Sequence, residues 1–179
     1  SQIKMFKTVN NQLVSISSNP KIINFAFPDV LSGEAFNNIL KYTDDANQNG
    51  LISFITNFLS IDLTISANDL CEIINTRSEY WTVVQQVEVF KWWNEHYKKE
   101  AILPKLLKTS DNNWLEYRKE CYFLEGDFDG VILPQWVEVS AIGKSYQEEL
   151  LKDVNTTQNE TDNKQTAVRY ICQNKIYPL

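Results

Sequence analysis

Residues 78–99, SEYWTVVQQVEVFKWWNEHYKK, decide the fold more than any other stretch of the chain. Apolar side chains recur there at helical spacing, at Tyr80, Val83, Val84, Val87, Phe90 and Tyr97. Lys98 and Lys99 place positive charge at the C-terminal end, where the helix dipole is negative. Pro104 prevents a continuation. The pattern predicts a long amphipathic helix from Ser78 to about Lys99.

Shorter helices are predicted on both sides of this segment. Ser66 followed by Asp69 approximates a capping box for one of them. Ser32 is a suitable N-cap for another, in which Phe36 and Leu40 would share a face. The two remaining helical patterns cover residues 51–59 and 111–121.

Strand patterns occupy both ends of the chain and a segment before residue 142. Residues 3–16 alternate on either side of Asn10-Asn11, which is typical of a hairpin with a short turn. Residues 131–142 are rich in β-branched side chains but contain Pro134, so they suit an edge strand or a broken strand. Residues 166–177 alternate again at the C-terminus.

Composition restricts the fold class further. The 179 residues are 43% hydrophobic and 12% aromatic, which is enough for a substantial core. Five glycines and five prolines are too few for the many tight turns of a β-sandwich or barrel. We predict one helix-rich α+β domain over residues 1–179, with a small antiparallel sheet from the N-terminal, 122–142 and C-terminal segments. Polar residues 152–165 are predicted to form a mobile loop.

The charge balance restricts the class of partner. Seventeen basic residues against 23 acidic residues give a formal net charge of −6. Nucleic-acid binding requires the opposite sign, so it is not expected. An acidic surface favours a basic protein partner, because complementary potentials accelerate and orient association. The alternative is that the charge only maintains solubility. No apolar run reaches the ~18 residues of a membrane span.

Three dispersed cysteines, Cys71, Cys121 and Cys172, contain no CxxC pair. This pattern favours reduced thiols over a disulfide scaffold or a thiolate zinc site. We therefore expect a cytoplasmic protein. The chain starts at Ser1 without a methionine, so a trimmed leader stays open.

Residues 45–53, DANQNGLIS, follow the spacing of an oxygen-ligand loop. Side-chain oxygens would come from Asp45, Asn47, Asn49 and Ser53, and a backbone carbonyl from Leu51. The segment resembles the front of an EF-hand calcium loop, with Gly50 at its sharp turn. Thr56 stands where that family has a closing bidentate glutamate. The resemblance implies a calcium-binding or calcium-stabilised module with a Kd of roughly 1 mM. The alternative is an Asn/Gly turn between two helices.

A second acidic segment contains Glu125, Asp127, Phe128 and Asp129. Three carboxylates this close repel one another unless a cation or a basic partner neutralises them. We interpret them as a docking element that presents negative charge beside Phe128. Since Asp129-Gly130 is also a hairpin signal, a solvated turn is the alternative.

Trp92 and Trp93 complete the candidate partner-binding residues. Adjacent helical side chains point about 100° apart, so the two indoles would not share one narrow stripe. One is expected to pack inward and the other to lie at a boundary or interface, where tryptophan is favoured. Packing of both in the core is the alternative.

The catalytic signals are few. His96 is the single histidine, and the nucleophile-elbow, phosphate-loop and dinucleotide motifs are missing from the sequence. A carboxylate-based hydrolase stays open, because paired acids leave no local signature. By composition the chain looks like small acidic bacterial immunity or inhibitor proteins. That resemblance implies a non-enzymatic module that masks a basic surface of a partner.

Overall fold

A computed structural model describes residues 4–40, 46–97, 99–100, 102–115, 121–123, 142–152 and 176–178. The chain divides into two compact units, Ser1–Thr76 and Arg77–Leu179. The described residues contain four α-helices and two pairs of short strands, which confirms the predicted helix-rich α+β class. None of these four helices is long and apolar enough to cross a membrane. The single domain over residues 1–179 stays a prediction.

The N-terminal unit begins with the predicted hairpin. Strand β1, Phe6–Lys7, pairs antiparallel with β2, Leu13–Val14. The Met5 amide extends the pairing by donating to the Val14 carbonyl oxygen at 2.9 Å. Asn11 adopts a φ of 59° in the turn, a conformation that asparagine tolerates better than most residues. The hairpin prediction is therefore confirmed.

The core of this unit joins the hairpin to distant parts of the chain. Phe6, Leu40, Ile55 and Leu63 form one buried cluster. Isolated strand bridges connect the same regions, at Thr8 with Leu40, Lys21 with Ile39, and Ile22 with Thr64. Because these contacts span residues 6–64, long-range burial fixes the connecting segments, which have little regular secondary structure of their own.

The helix predicted over residues 32–40 is wrong. A 3₁₀ turn, Glu34–Phe36, stands there, preceded by Gly33 at a φ of 92°. The Asn10 side chain donates to the Gly33 carbonyl oxygen at 2.7 Å and accepts from the Gly33 amide at 2.8 Å. These bonds hold Gly33 in a backbone conformation that is incompatible with an α-helix. The apolar spacing up to Leu40 reflects burial in the core.

Two helices complete the N-terminal unit. Helix α1, Ala46–Ser53, continues directly into a π-helical turn, Phe54–Phe58. Helix α2, Ala67–Asn75, begins at Ser66, whose Oγ accepts a hydrogen bond from the Asp69 amide at 3.1 Å. The Ser66 half of the predicted capping box is confirmed.

Helix α3, Val83–His96, is the main helix of the C-terminal unit, and it begins later than predicted. Ser78–Tyr80 form a separate 3₁₀ turn. Thr82 is the N-cap, because its Oγ1 accepts from the Gln85 amide at 3.3 Å while Gln85 Oε1 accepts from the Thr82 amide at 3.0 Å. This reciprocal capping box fixes the start at residue 83. The predicted start at Ser78 is therefore wrong.

Helix α4, Lys144–Leu151, packs against α3. Tyr146 and Leu150, one helical turn apart, are both buried. A buried hydrogen bond also links the two helices, since the Tyr146 hydroxyl donates to Gln86 Oε1 at 2.7 Å.

The helix predicted over residues 111–121 is wrong in its described first part. Residues 111–115 form a turn and an isolated bridge, with Asn112 at a φ of 65°. The Thr109 amide donates to the Asn113 carbonyl oxygen at 2.9 Å. Asp111 accepts from the Thr109 hydroxyl and from the Asn113 amide group. Such local side-chain bonds compete with helix formation.

The second strand pair is parallel. Strand β3, Cys121–Phe123, pairs with β4, Ile176–Pro178, in a sheet separate from the hairpin. The predicted single antiparallel sheet therefore differs from the observed arrangement. Parallel pairing needs a crossover connection of a dozen or more residues, and the long segment between β3 and β4 supplies one. The strand predicted at 131–142, except Ile142, and the loop at 152–165, except Lys152, lie outside the described residues.

Candidate functional site

An exposed apolar surface follows helix α1 in the N-terminal unit. It consists of Phe54, Phe58, Leu59 and Ile61, and we call these four residues the apolar surface. Phe54 and Phe58 keep 50% and 76% of their accessible area in contact with solvent. Their rings stack with centroids 5.1 Å apart and 14° between the planes. Grouped apolar side chains in water are typical of sites where another molecule docks.

Backbone geometry determines which side chains face outward. Ile55 is buried in the core cluster, and Leu51 and Ile52 pack against that cluster. In the π-helical turn the Leu59 amide donates to the Phe54 carbonyl oxygen at 3.2 Å, an i to i+5 bond. Ile55 therefore fixes the turn to the core while the two phenylalanines remain outside. Single π-helical turns occur frequently at functional sites.

A tight turn at Ser60 lies within the segment that carries the apolar surface. Ser60 adopts a φ of 54°, and the Ile61 amide donates to the Ile55 carbonyl oxygen at 3.2 Å. The Thr56 hydroxyl donates to the Ile52 carbonyl oxygen at 2.9 Å, which satisfies a polar group inside the turn. These bonds hold residues 54–61 in one defined conformation, so a partner would meet a preformed surface.

Negative charge surrounds this surface along the sequence. Residues 42–76 contain five acidic residues and no lysine or arginine, the acids being Asp44, Asp45, Asp62, Asp69 and Glu72. Asp62 follows the surface directly. A hydrogen bond from the Thr64 amide, at 2.8 Å, lowers the pKa of Asp62 below its usual 3.8, and the charge of Lys21 acts in the same direction. The Asp62 carboxylate is therefore ionised at neutral pH.

The segment that resembles an EF-hand loop is helical where it is described. Asn47, Asn49, Leu51 and Ser53 all belong to α1, whereas Asp45 lies outside the described residues. Residues two apart on an α-helix point about 200° apart, so Asn47 and Asn49 do not converge on one point. The expected interruption between two helices is therefore wrong.

Long-range contacts explain why this segment is helical. The Gln48 side chain is buried and its Oε1 accepts a hydrogen bond from the Lys7 amide at 3.1 Å. Leu51 and Ile52 pack toward the core three and four residues later. Gly50 is tolerated in the helix and has open space around it. The described residues contain no cluster of three His, Cys, Asp or Glu side chains that could hold a metal.

The second predicted acidic element belongs to a part of the chain that the structure does not describe. Glu125, Asp127, Phe128 and Asp129 all lie outside the described residues. Their docking role stays a prediction.

The two adjacent tryptophans are in the interior of the C-terminal unit. Trp93 is completely buried and Trp92 is 7% exposed. Trp93 stacks on Tyr97, with ring centroids 4.5 Å apart, and Trp92 contacts both His96 and Tyr97 at 5.5 and 5.7 Å. The expectation that one indole would lie at a boundary is not met. Neither side chain offers a surface for a partner in this conformation.

Sequence reasoning missed the apolar surface. The pattern at residues 51–59 predicts a helix rich in apolar residues, and the helix prediction alone does not identify which of them face the core. Ile55 and Leu51 are four residues apart on one side, and Phe54 and Phe58 are four apart on another. Two apolar stripes on one short helix indicate that one of them lacks a place in the core. That signal was present in the sequence.

Comparison of the chain with protein-family models, with curated proteins and with solved structures finds no match.

Proposed function

We propose that this chain is a non-enzymatic protein-binding module that docks a basic partner through the apolar surface. The observation that carries this proposal is the exposed, stacked pair Phe54 and Phe58 on a backbone fixed to the core. Aromatic residues are enriched at protein interfaces, and their burial contributes strongly to binding.

The chemistry of the partner follows from the surroundings of this pair. Residues 42–76 supply acids without a single basic residue. A complementary site would therefore have an apolar pocket for the phenylalanine rings and a rim of lysine or arginine side chains. Association would be accelerated by charge and weakened by salt.

A second copy of this chain is a poorer occupant of the apolar surface. A symmetric contact would bring two segments with this excess of acids together, and like charges across an interface cost free energy. A basic partner gains from the same charges. The role that fits this chemistry is that of an immunity or inhibitor protein, which masks a basic surface of another protein. Glu125, Asp127, Phe128 and Asp129, which belong to the other unit, keep their predicted role as a separate acidic docking element.

The proposed compartment is the cytoplasm. The three cysteines are dispersed along the chain and include no CxxC pair, a pattern that favours reduced thiols and hence a reducing compartment.

The proposal is tested by site-directed photo-crosslinking in the cells that produce the protein. A photoreactive side chain replaces Phe58 in one variant and Val84, an exposed residue of α3, in the matched control. We expect one basic protein to be crosslinked at position 58 and not at position 84. Crosslinks that are the same at both positions, or that join two copies of this chain, would contradict the proposal.

A further inference from the structure

A groove of about 520 Å³ lies in the N-terminal unit between the hairpin turn and the loop over residues 26–32. Its lining includes Val9, Asn11, Phe27, Asp29, Leu31 and Ser32. The volume is within the range of ordinary small-ligand sites, roughly 300–1,000 Å³. The apolar surface contributes no residue to this lining, so the groove is a separate feature of the molecule.

The two walls of the groove are tied together. Asn10, in the hairpin turn, makes two hydrogen bonds to the backbone of Gly33 and donates a third to Asn37 Oδ1 at 2.7 Å. Within the loop, the Leu31 amide donates to the Pro28 carbonyl oxygen at 3.0 Å. The groove is therefore preformed and does not require a ligand to assemble it.

The lining combines apolar walls with one charge. Val9 and Phe27 provide hydrocarbon surface, whereas Leu31 is only 1% exposed, and Asn11 and Ser32 provide neutral polar groups. Among the described residues of the lining, Asp29 is the one that is ionisable; it is exposed and forms no ion pair with another described residue.

This combination selects a ligand with a cationic head on an apolar stem. Lysine and arginine side chains have this form, because their methylene groups cover apolar surface while the charged end stays near water. A carboxylate that forms no ion pair with a described residue disfavours anions and gains from a cation. A purely apolar ligand would make no ionic contact with the Asp29 carboxylate.

We propose that this groove binds an alkylammonium or alkylguanidinium group, with its head at Asp29 and its stem along Val9 and Phe27. The source of the group is either a lysine or arginine side chain of a protein or a free aliphatic amine. The inference does not depend on the proposed function, because none of its residues belongs to the apolar surface.

The test is a titration followed by amide chemical shifts in nitrogen-15 NMR spectra. The probes are N-acetyl-arginine amide, N-acetyl-lysine amide and the uncharged N-acetyl-norleucine amide, with agmatine as the free amine. We expect saturable shifts at residues 9–11 and 26–32 with the charged probes and none with the norleucine probe. Binding of the capped amino acids alone indicates a protein side chain as the source, whereas tighter binding of agmatine indicates a free amine.

Three variants make the assignment specific. Asp29→Asn is expected to weaken binding by up to about fivefold, the range of an exposed ion pair. Ala26 also lines the groove, so Ala26→Phe fills it and is expected to abolish the saturable shifts. Asp62→Asn removes the same charge outside the lining and is expected to change the affinity less than twofold (~2).

Equal shifts with the norleucine probe, or equal affinities for wild type and Asp29→Asn, would overturn the inference. Phe58→Ser provides the separation from the proposed function. This variant retains the groove, so loss of probe binding in it would also contradict the assignment. If the probes do not bind the groove at all, the proposal for the apolar surface is unaffected.

Discussion

The buried hydrogen bonds of Gln86 give the sharpest prediction about the C-terminal unit. Its Nε2 donates to the Ser78 carbonyl oxygen at 2.7 Å, and its Oε1 accepts from the Tyr146 hydroxyl at 2.7 Å. Gln86 is 4% exposed and Tyr146 is 5% exposed, so water does not replace either partner. Burial raises the pKa of Tyr146 as well, which keeps its hydroxyl protonated and able to donate. The Tyr146 hydroxyl therefore stabilises the contact between α3 and α4.

The perturbation is Tyr146→Phe, which removes the donor and keeps the ring. It leaves Gln86 Oε1 buried without its partner, at a cost of about 1–3 kcal/mol. Gln86→Leu alone also strands the Tyr146 hydroxyl and the Ser78 carbonyl. The double variant replaces both partners by apolar groups, so it should be less destabilised than the sum of the singles by about 1–2 kcal/mol.

Urea unfolding followed by tryptophan fluorescence measures these values. All five tryptophans belong to the C-terminal unit, so the signal reports on that unit. A loss of 2 kcal/mol at an m value of about 2 kcal/mol per molar shifts the midpoint by about 1 M. Strict additivity, or a Tyr146→Phe shift below about 0.2 M, would refute the reasoning.

Three further outcomes are expected. Thr82→Ala removes the capping box with Gln85 and should lower the stability of the C-terminal unit by about 1 kcal/mol in the same urea assay. The hydrogen bond from the Thr109 hydroxyl lowers the pKa of Asp111 below 3.8. The ionised Asp111 carboxylate therefore stabilises the folded state above pH 3.8, and this contribution is lost as the pH falls below that value. Asp111→Asn should flatten the acid-unfolding curve in this pH range, and an unchanged curve would contradict this. Phe58→Ser should lower thermal stability by only about 1–2 kcal/mol, because about a quarter of the ~200 Å² of phenylalanine is buried and one ring stack is lost.

Local side-chain chemistry made some elements predictable. Ser66 and Asp69 form the cap that their spacing predicts, and the residues around Asn11 form the predicted hairpin turn. Each of these features depends on groups within a few positions of one another. Sequence patterns predict such structure because all of its partners are visible in one window.

Long-range partners caused the main errors in the N-terminal unit. The segment beginning at Ser32 has helical spacing, but Asn10 binds Gly33 from the hairpin turn and prevents a helix. Residues 46–53 belong to a segment expected to interrupt two helices, but they form helix α1, whose Gln48 side chain accepts a hydrogen bond from the distant Lys7 amide. Neither contact can be derived from periodicity.

In the C-terminal unit, helix α4 was missed although its signal is present. Tyr146 and Leu150 are four residues apart and both buried. The segment is short and mainly polar, so its stability depends on packing against α3, which the sequence does not display. The prediction that one of the two tryptophans lies at a boundary is wrong for a related reason, because both indoles are buried and both contact Tyr97.

The sequence predicts an acidic charge balance but not the location of the candidate site. The acidic balance, −6 overall, and the expectation of a basic partner came from composition. Locating the candidate site at Phe54 and Phe58 requires knowing which apolar stripe of the helix packs in the core. The burial of Ile55 shows that its stripe does.

The most direct test of the central proposal is the affinity of the crosslinked partner for three purified proteins: wild type, Phe58→Ser and Tyr80→Ser. Tyr80 is 78% exposed in the C-terminal unit, so it controls for the loss of an exposed aromatic ring. We predict that Phe58→Ser weakens binding by about 30-fold or more, as for a central interface residue, whereas Tyr80→Ser changes the affinity by less than about twofold. The association rate of the wild-type protein should fall as the salt concentration rises. Equal effects of the two substitutions, or an affinity independent of Phe58, would contradict docking through the apolar surface.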